Sequence, residues 1–333
     1  MRLAIVGFRH AHAAALYQTA QRLEHVDVVA CVEEDPAARD QIPVQLGVTL
    51  THDTFDQVLQ EVDFDALACI DYFARRGPIL IKALEAGKHV VTDKPLCTEV
   101  DQLRQIAALA REKNLVVHAD FTMRYSGLAM KMRDLVRSGA IGNLATATVF
   151  GLHPLNWGSR PGWYFEPGKQ GGTINDIMIH GFDMLRWITG KEFSHVLSAA
   201  AGPVQGSPAP EHFQQSAQSF LQMEDGARMM GDCSYLAPAG HAAHWRFFLW
   251  GSEGHLAYES DKRLILQRAG EPEAVIEQAE GPGVDPFEDF ARQVEFGAEP
   301  FLCREECFRS TMVALTAQQA ADTGATNLAI PSL

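Results

Sequence analysis

The chain has 333 residues, enough for two domains with ample cores, and its composition of 47% hydrophobic and 21% charged residues is that of an ordinary globular protein. A formal net charge of −14 argues against nucleic acid or an anionic membrane surface as the main partner. No apolar run approaches the ~20 residues of a bilayer span, and the first residues enter a short apolar strand without a charged leader, so a cytoplasmic protein is expected.

The first third alternates short apolar runs with helical patterns. Strands are expected at Leu3–Val6, Val26–Val32, Ala66–Ile70, His89–Thr92 and Leu115–His118. Helices are expected from near His12, at Phe55–Gln60, at Pro78–Ala86 with a stop at Gly87, and at Glu99–Lys113. Continuous apolar strands spaced by helices imply a parallel sheet covered on both faces, a doubly wound α/β fold that binds ligands beyond the strands' carboxyl ends.

The first strand-to-helix turn reads Gly7-Phe8-Arg9-His10-Ala11-His12. Of the three glycines in the dinucleotide pattern G-x-G-x-x-G, only the first is present; Arg9 and His12 stand at the other two positions. The second strand ends in Glu33-Glu34-Asp35-Pro36, where Glu33 is placed to accept from a ribose 2′-hydroxyl and to repel a 2′-phosphate, favouring NAD over NADP. The opposing possibility is that Arg9 pairs with a phosphate. Thr92-Asp93-Lys94-Pro95 closes the fourth strand. Proline keeps Lys94 out of helical geometry, which fixes a lysine at the ligand-binding edge.

From about residue 121 the rhythm changes. A helix near Gly127–Ser138 leads into alternating strands at Ala145–Leu152, Val196–Ala201, Gln215–Met223, Arg228–Leu236, Trp245–Trp250, His255–Glu259 and Leu264–Gln267, with hairpin signals at 224–226 and 252–254. Helices near Pro286–Phe296 and Glu305–Thr323 close the chain. This half reads as an α+β domain with a large, mainly antiparallel open sheet. One face is covered by helices and the other is free for self-association, so a homodimer or homotetramer is expected. The division is 1–120 and 121–333. Loops 151–168 and 237–244 are expected to wall a cleft.

The stretch Gly171-Gly172-Thr173-Ile174-Asn175-Asp176-Ile177-Met178-Ile179-His180-Gly181-Phe182-Asp183, continuing to Trp187, places Asp176, His180, Asp183 and Trp187 on one helical stripe, with the remaining positions almost all apolar. Buried ionisable groups are costly unless they are paired or line a cleft. A carboxylate four residues before an imidazole can orient the ring and tune it for acid–base work near neutral pH. A metal site can be drawn from His241, His244 and His255, or from His10 and His12. The 241–244 pair lacks a clear third ligand, and no metal is expected. The six cysteines are scattered, apart from Cys303 and Cys307 on one helix face, and carry no expected redox role.

Together these pieces resemble the Gfo/Idh/MocA family, the glucose–fructose oxidoreductase and inositol dehydrogenase relatives. The resemblance covers essentially the full length. It rests on the turn at Gly7, Glu85-Ala86-Gly87-Lys88-His89, Asp93-Lys94-Pro95 in place of Glu-Lys-Pro, Arg124-Tyr125, Ser138-Gly139-Ala140-Ile141-Gly142 and Trp163. It rests also on Gly171-Gly172 with Asp176, His180 and Asp183, and on Gly251-Ser252-Glu253-Gly254. The resemblance implies a Rossmann domain and an NAD(P)-dependent oxidoreductase acting on a sugar, inositol or related polyol. It makes His180 the acid–base group, sets Lys94 against the reacting oxygen and has Asp176 orient a neighbouring hydroxyl. Gly7, Phe8, Arg9, His10, Glu33, Asp71, Tyr72, Asp93 and Lys94 then face the cofactor, while Arg124, Tyr125, Trp163 and Tyr164 wall the substrate with Lys94, Asp176 and His180. Departures are the degraded glycine turn, Thr173 for a third glycine, Trp163-Tyr164 for Trp-Arg, and Asp71-Tyr72-Phe73-Ala74-Arg75-Arg76 where the family has Thr-Pro-Asn-x-x-His. The alternatives are a non-catalytic nucleotide- or sugar-binding sensor or scaffold of the same fold, and an enzyme retaining NAD for net elimination or hydrolysis.

Overall fold

The protein is described from a computed structural model, which covers residues 1–241, 244–260 and 262–333. The chain opens with strand β1 (Arg2–Val6), helix α1 (Ala13–Arg22), β2 (Asp27–Val32), α2 (Pro36–Leu46), α3 (Phe55–Glu61), β3 (Ala66–Cys69), α4 (Phe73–Glu85), β4 (His89–Asp93), α5 (Val100–Glu112) and β5 (Val117–Asp120). These five strands pair in parallel in the order β2-β1-β3-β4-β5. Alternation along β1 sends Leu3 and Ile5 to a core with Tyr17 and Ala20 of α1, and Ala4 and Val6 to the opposite core with Leu80, Ala83 and Leu103 of α4 and α5. Helix α2 has no counterpart in the apolar pattern, because only Ile42 of its eleven residues is buried. Asp35 caps it, accepting from the Ala38 amide at 3.0 Å, and Pro36 stands in its first turn.

Then follow α6 (Gly127–Arg137), β6 (Leu144–Leu152), a π-helical turn (Ile174–Met178), α7 (Ile179–Thr189), β7 (Phe193–Gly202), β8 (Ser216–Met223), β9 (Arg228–Ser234), β10 (Trp245–Gly251), β11 (Gly254–Glu259), β12 (Arg263–Arg268), β13 (Ala274–Ile276), α8 (Pro286–Phe296), α9 (Arg304–Thr323) and β14 (Leu328–Ala329). The second sheet runs β13-β12-β11-β10-β6-β9-β8-β7-β14. Its pairs are antiparallel except β6 with β9, which run parallel from Thr146 opposite Arg228 to Leu152 opposite Ser234. Val149, Leu221, Met229 and Phe247 point into a core with Met178, Phe182, Phe308 and Met312, while Phe220, Met230 and Trp250 stand exposed.

Helix α8 does not stay with the second sheet. Phe287, Phe290 and Ala291 join the core formed by α1 and the first sheet, covering the ends of β4 and β5. Two glycines have steric tasks. Gly7 sits at φ +80°, and an added Cβ would stand 2.7 Å from Asp71 Cβ. Gly172, at φ +99°, backs onto Gln318 at 2.1 Å from an added Cβ. Among the described residues no helix is long and apolar enough to cross a membrane.

Candidate active site

The carboxyl end of β4 and the π-turn before α7 bring Lys94 and Asp176 together. The turn is set by Gly172, by the Ile174 amide donating to Gln318 Oε1 at 3.1 Å, and by the Ile179 amide reaching back five residues to the Ile174 carbonyl. In this geometry Lys94 Nζ donates both to the Asp176 carbonyl at 2.5 Å and to its Oδ1 at 2.7 Å. The other carboxylate oxygen accepts from the Tyr235 hydroxyl and, at 3.5 Å, from Gln170 Nε2. Burial alone would raise the Asp176 carboxyl, but the adjacent Lys94 ammonium and the hydrogen bonds from Lys94 and Tyr235 hold it below the usual carboxylate range. It is therefore ionised and locked.

His180 lies with its ring between Phe121 and Trp245, at centroid distances of 6.0 and 5.4 Å. Burial depresses its pKa well below 6.5, and the Lys94 charge adds to the effect, so the imidazole is neutral. Its Nδ1 is closed from solvent and without a hydrogen-bond partner. His153, from the loop after β6, is held neutral by burial, with its pKa pushed down to about 4 although Asp176 acts in the opposite sense.

Arg76 fixes the β4 exit. It is fully buried, with Nε on the Asp71 carbonyl at 2.9 Å and Nη1 on the Asp93 and Lys94 carbonyls at 2.9 and 2.7 Å. The Lys94–Pro95 peptide there is cis.

The cofactor edge is built around Gly7. Glu33 is fully buried, accepting from the Phe8 amide at 2.8 Å and the Asp35 amide at 2.9 Å, so it holds the turn to the end of β2. The Arg9 guanidinium lies 2.8 Å from Asp71, 3.4 Å from Glu33 and Asp35, and 4.7 Å from the Tyr72 ring centroid. Asp71 also accepts from the Tyr72 amide and from Arg75, and Arg75 reaches Glu34. Phe8 turns into the core against Tyr17. Trp163 Nε1 donates to the Arg9 carbonyl at 3.0 Å, and the Tyr164 hydroxyl meets His10 Nε2 at 3.1 Å. Both aromatic rings are buried against Phe73, clamping the β1–α1 turn onto the second domain.

Two expected substrate contacts are corrected. Arg124 does not line this cluster. It is 1% exposed and forms a two-point ion pair with Asp183 at 2.7 and 2.6 Å, reinforced by Glu306. A buried guanidinium must be paired, and Asp183, accepting also from Ser310, serves that pair instead of continuing the Asp176 stripe. Tyr125 is turned toward α8, where its hydroxyl donates to Asp289 at 2.9 Å and its ring packs on Phe301. Tyr235, Gln170 and His153 are site residues that the sequence reading missed. The inward alternation of β9 points toward Tyr235, but no spacing ties any of the three to Asp176.

A glycine turn at the end of β1, helix α1 with no side-chain cap over its first amides, and an acid at the end of β2 fit a dinucleotide. With a buried lysine and a neutral histidine beside that edge, they define a two-domain Rossmann oxidoreductase. Residues 1–121 match the oxidoreductase family with NAD-binding Rossmann fold, and residues 129–257 match the GFO/IDH/MocA C-terminal domain. The chain belongs to the GFO/IDH/MocA family, and its first domain is an NAD-binding Rossmann domain.

Among curated relatives, a dTDP-3,4-didehydro-2,6-dideoxy-alpha-D-glucose 3-reductase of Saccharopolyspora spinosa is 28% identical, over 74% of this chain and 69% of that protein. The scyllo-inositol 2-dehydrogenase (NAD(+)) of Bacillus subtilis (strain 168) is 23% identical, over 68% and 65%. The inositol 2-dehydrogenase of Rhizobium meliloti (strain 1021) is 24% identical, over 73% and 71%. Levoglucosan dehydrogenase in complex with NADH and levoglucosan shares the fold, with a TM-score of 0.81 at 18% identity and full coverage of both chains.

Proposed function

We propose that the protein is an NAD-dependent dehydrogenase that oxidises a carbinol of a sugar, inositol or related polyol to the carbonyl. The observation that carries this reading is the buried Lys94–Asp176–Tyr235 group beside a neutral His180 at the ligand-binding edge of the parallel sheet. NAD, when bound, supplies the hydride acceptor. His180 takes the hydroxyl proton as an already neutral base. Lys94 donates to the reacting oxygen and favours its developing negative charge. Asp176, held ionised, accepts from a neighbouring substrate hydroxyl and positions the ring. The names of the inositol and sugar relatives support a polyhydroxylated substrate. The sensor reading has no support in a site that keeps this proton-handling group intact.

At the cofactor edge, Glu33, Glu34, Asp35 and Asp71 outnumber Arg9 and Arg75, which disfavours a 2′-phosphate. NADP is expected to bind at least about tenfold more weakly than NAD by calorimetry, a difference of ~1.4 kcal/mol. The exposed face of the second sheet, with Phe220, Met230 and Trp250, supports assembly as a homodimer or homotetramer.

The test is NAD reduction across a panel of polyols by wild type and His180→Ala. We expect turnover on at least one inositol or sugar, lost by roughly 10²–10⁴-fold in the variant with NAD affinity retained. Unchanged turnover in His180→Ala removes His180 from the chemistry.

A further inference from the structure

We propose that His10, His12 and Asp93 bind one divalent transition-metal ion of the zinc class at the carboxyl ends of β1 and β4. This site adjoins the Lys94–Asp176 group and shares His10 and Asp93 with the expected cofactor edge. One potential donor atom from each of the three side chains can be chosen so that all lie within 4.8 Å of one another. His10 Nδ1 stands 3.2 Å from Asp93 Oδ2, and His12 Nδ1 stands 3.3 Å from Asp93 Oδ1. Nitrogen and oxygen donors on a tetrahedral zinc ion, each ~2.1 Å from it, are roughly 3.3 Å apart.

The same contacts are poor as hydrogen bonds. Asp93 is 1% exposed, yet its Oδ1 has no hydrogen-bond partner. Arg76 Nη2 reaches only the other oxygen, at 3.5 Å. A buried carboxylate oxygen 3.3 Å from an imidazole nitrogen is satisfied either by a proton on that nitrogen or by a cation held between the two.

The surroundings suit a metal ligand set. His10 Nδ1 accepts from the His12 amide at 3.3 Å and its Nε2 lies 3.1 Å from the Tyr164 hydroxyl, so a metal ion on Nδ1 would replace that long amide contact while Tyr164 holds the other ring nitrogen. Asp120 is the register partner of Asp93 on β5, and its Oδ1 is also unpartnered. His12 and Asp93 open onto a 270 Å³ cavity between α1 and α8, also lined by Asp120, His118 and Phe287, which leaves room for water or a small ligand in the remaining positions. Two imidazoles and one carboxylate favour Zn²⁺ or Co²⁺ over Mg²⁺ or Ca²⁺.

Protein freed of any affinity tag and stripped by a chelator is titrated with ZnCl₂ by calorimetry and with CoCl₂ by visible absorption. The expected result is one equivalent of each ion at affinity in the micromolar range or tighter, with a visible cobalt band. Binding should weaken at least about tenfold in His12→Ala and stay unchanged in His241→Ala. His12 is half exposed, so its truncation leaves the fold intact, which a thermal melt verifies. No binding of either ion at about 100 µM overturns the proposal, as does equal binding by His12→Ala and wild type.

Discussion

His153 shows how a single neutral imidazole links the site to stability. Its pKa is about 4 in the folded protein against 6.5 when unfolded, with burial the main cause. Between those values the unfolded chain binds a proton that the native state refuses. The stability His153 contributes is therefore fully present above pH 6.5 and is lost as pH falls toward 4. A His153→Gln variant is expected to lose less stability than wild type between pH 6.5 and 4, by about 2–3 kcal/mol in urea unfolding. Identical pH slopes would remove His153 from this role. His180, depressed in the same direction, stays in its base form at neutral pH, so the acid limb of kcat/KM is expected below pH 6.5.

At the scale of elements, the π-turn and α7 divide one sequence stripe between two tasks. Asp176 goes to Lys94 and the candidate site, while Asp183, seven positions on, goes to Arg124 and the core. Removing one partner of a buried ion pair leaves the other unpaired. Arg124→Ala is thus expected to cost ~3–5 kcal/mol, seen as a lower urea midpoint, with substrate KM unchanged in the surviving native fraction. A raised KM with intact stability would return Arg124 to the substrate wall. The strand end and the helical spacing brought Lys94, Asp176 and His180 into one region, but the structure puts Asp176 on a π-turn and pairs its carboxylate with Lys94, Tyr235 and Gln170 in place of His180. Arg124 and Tyr125 were misread because an arginine beside an aromatic residue in a loop looks like a cleft wall, and nothing local announces Asp183 or Asp289. Tyr235 and Gln170 stayed hidden for the same reason, since their tie to Asp176 exists only after both sheets have formed. The parallel sheet was legible from its apolar runs. Helix α2 was not, for it buries a single side chain.

At the scale of the whole molecule, the covered and uncovered faces of the nine-stranded sheet differ in what they imply. The covered face packs on α7 and α9, whereas Met230 and Trp250 are about half exposed on the other, at 54% and 51%. Sedimentation is expected to find a homodimer or larger assembly, and a double Met230→Glu, Trp250→Glu variant to run as a folded monomer. A monomeric wild type would mean that this face stays solvated.

The parallel pairing of β6 with β9 sets an order of events in time. β6 lies between two meanders, β7–β8–β9 on one side and β10–β11–β12–β13 on the other, and both are synthesised after it. Each meander can zip through local hairpins, but β6 leaves the ribosome with both edges unpaired and Ala147 and Val149 uncovered until its neighbours arrive. Joining the halves is therefore a late, non-local step. The nascent chain is most vulnerable to aggregation in the interval before β9 and β10 close over that strand.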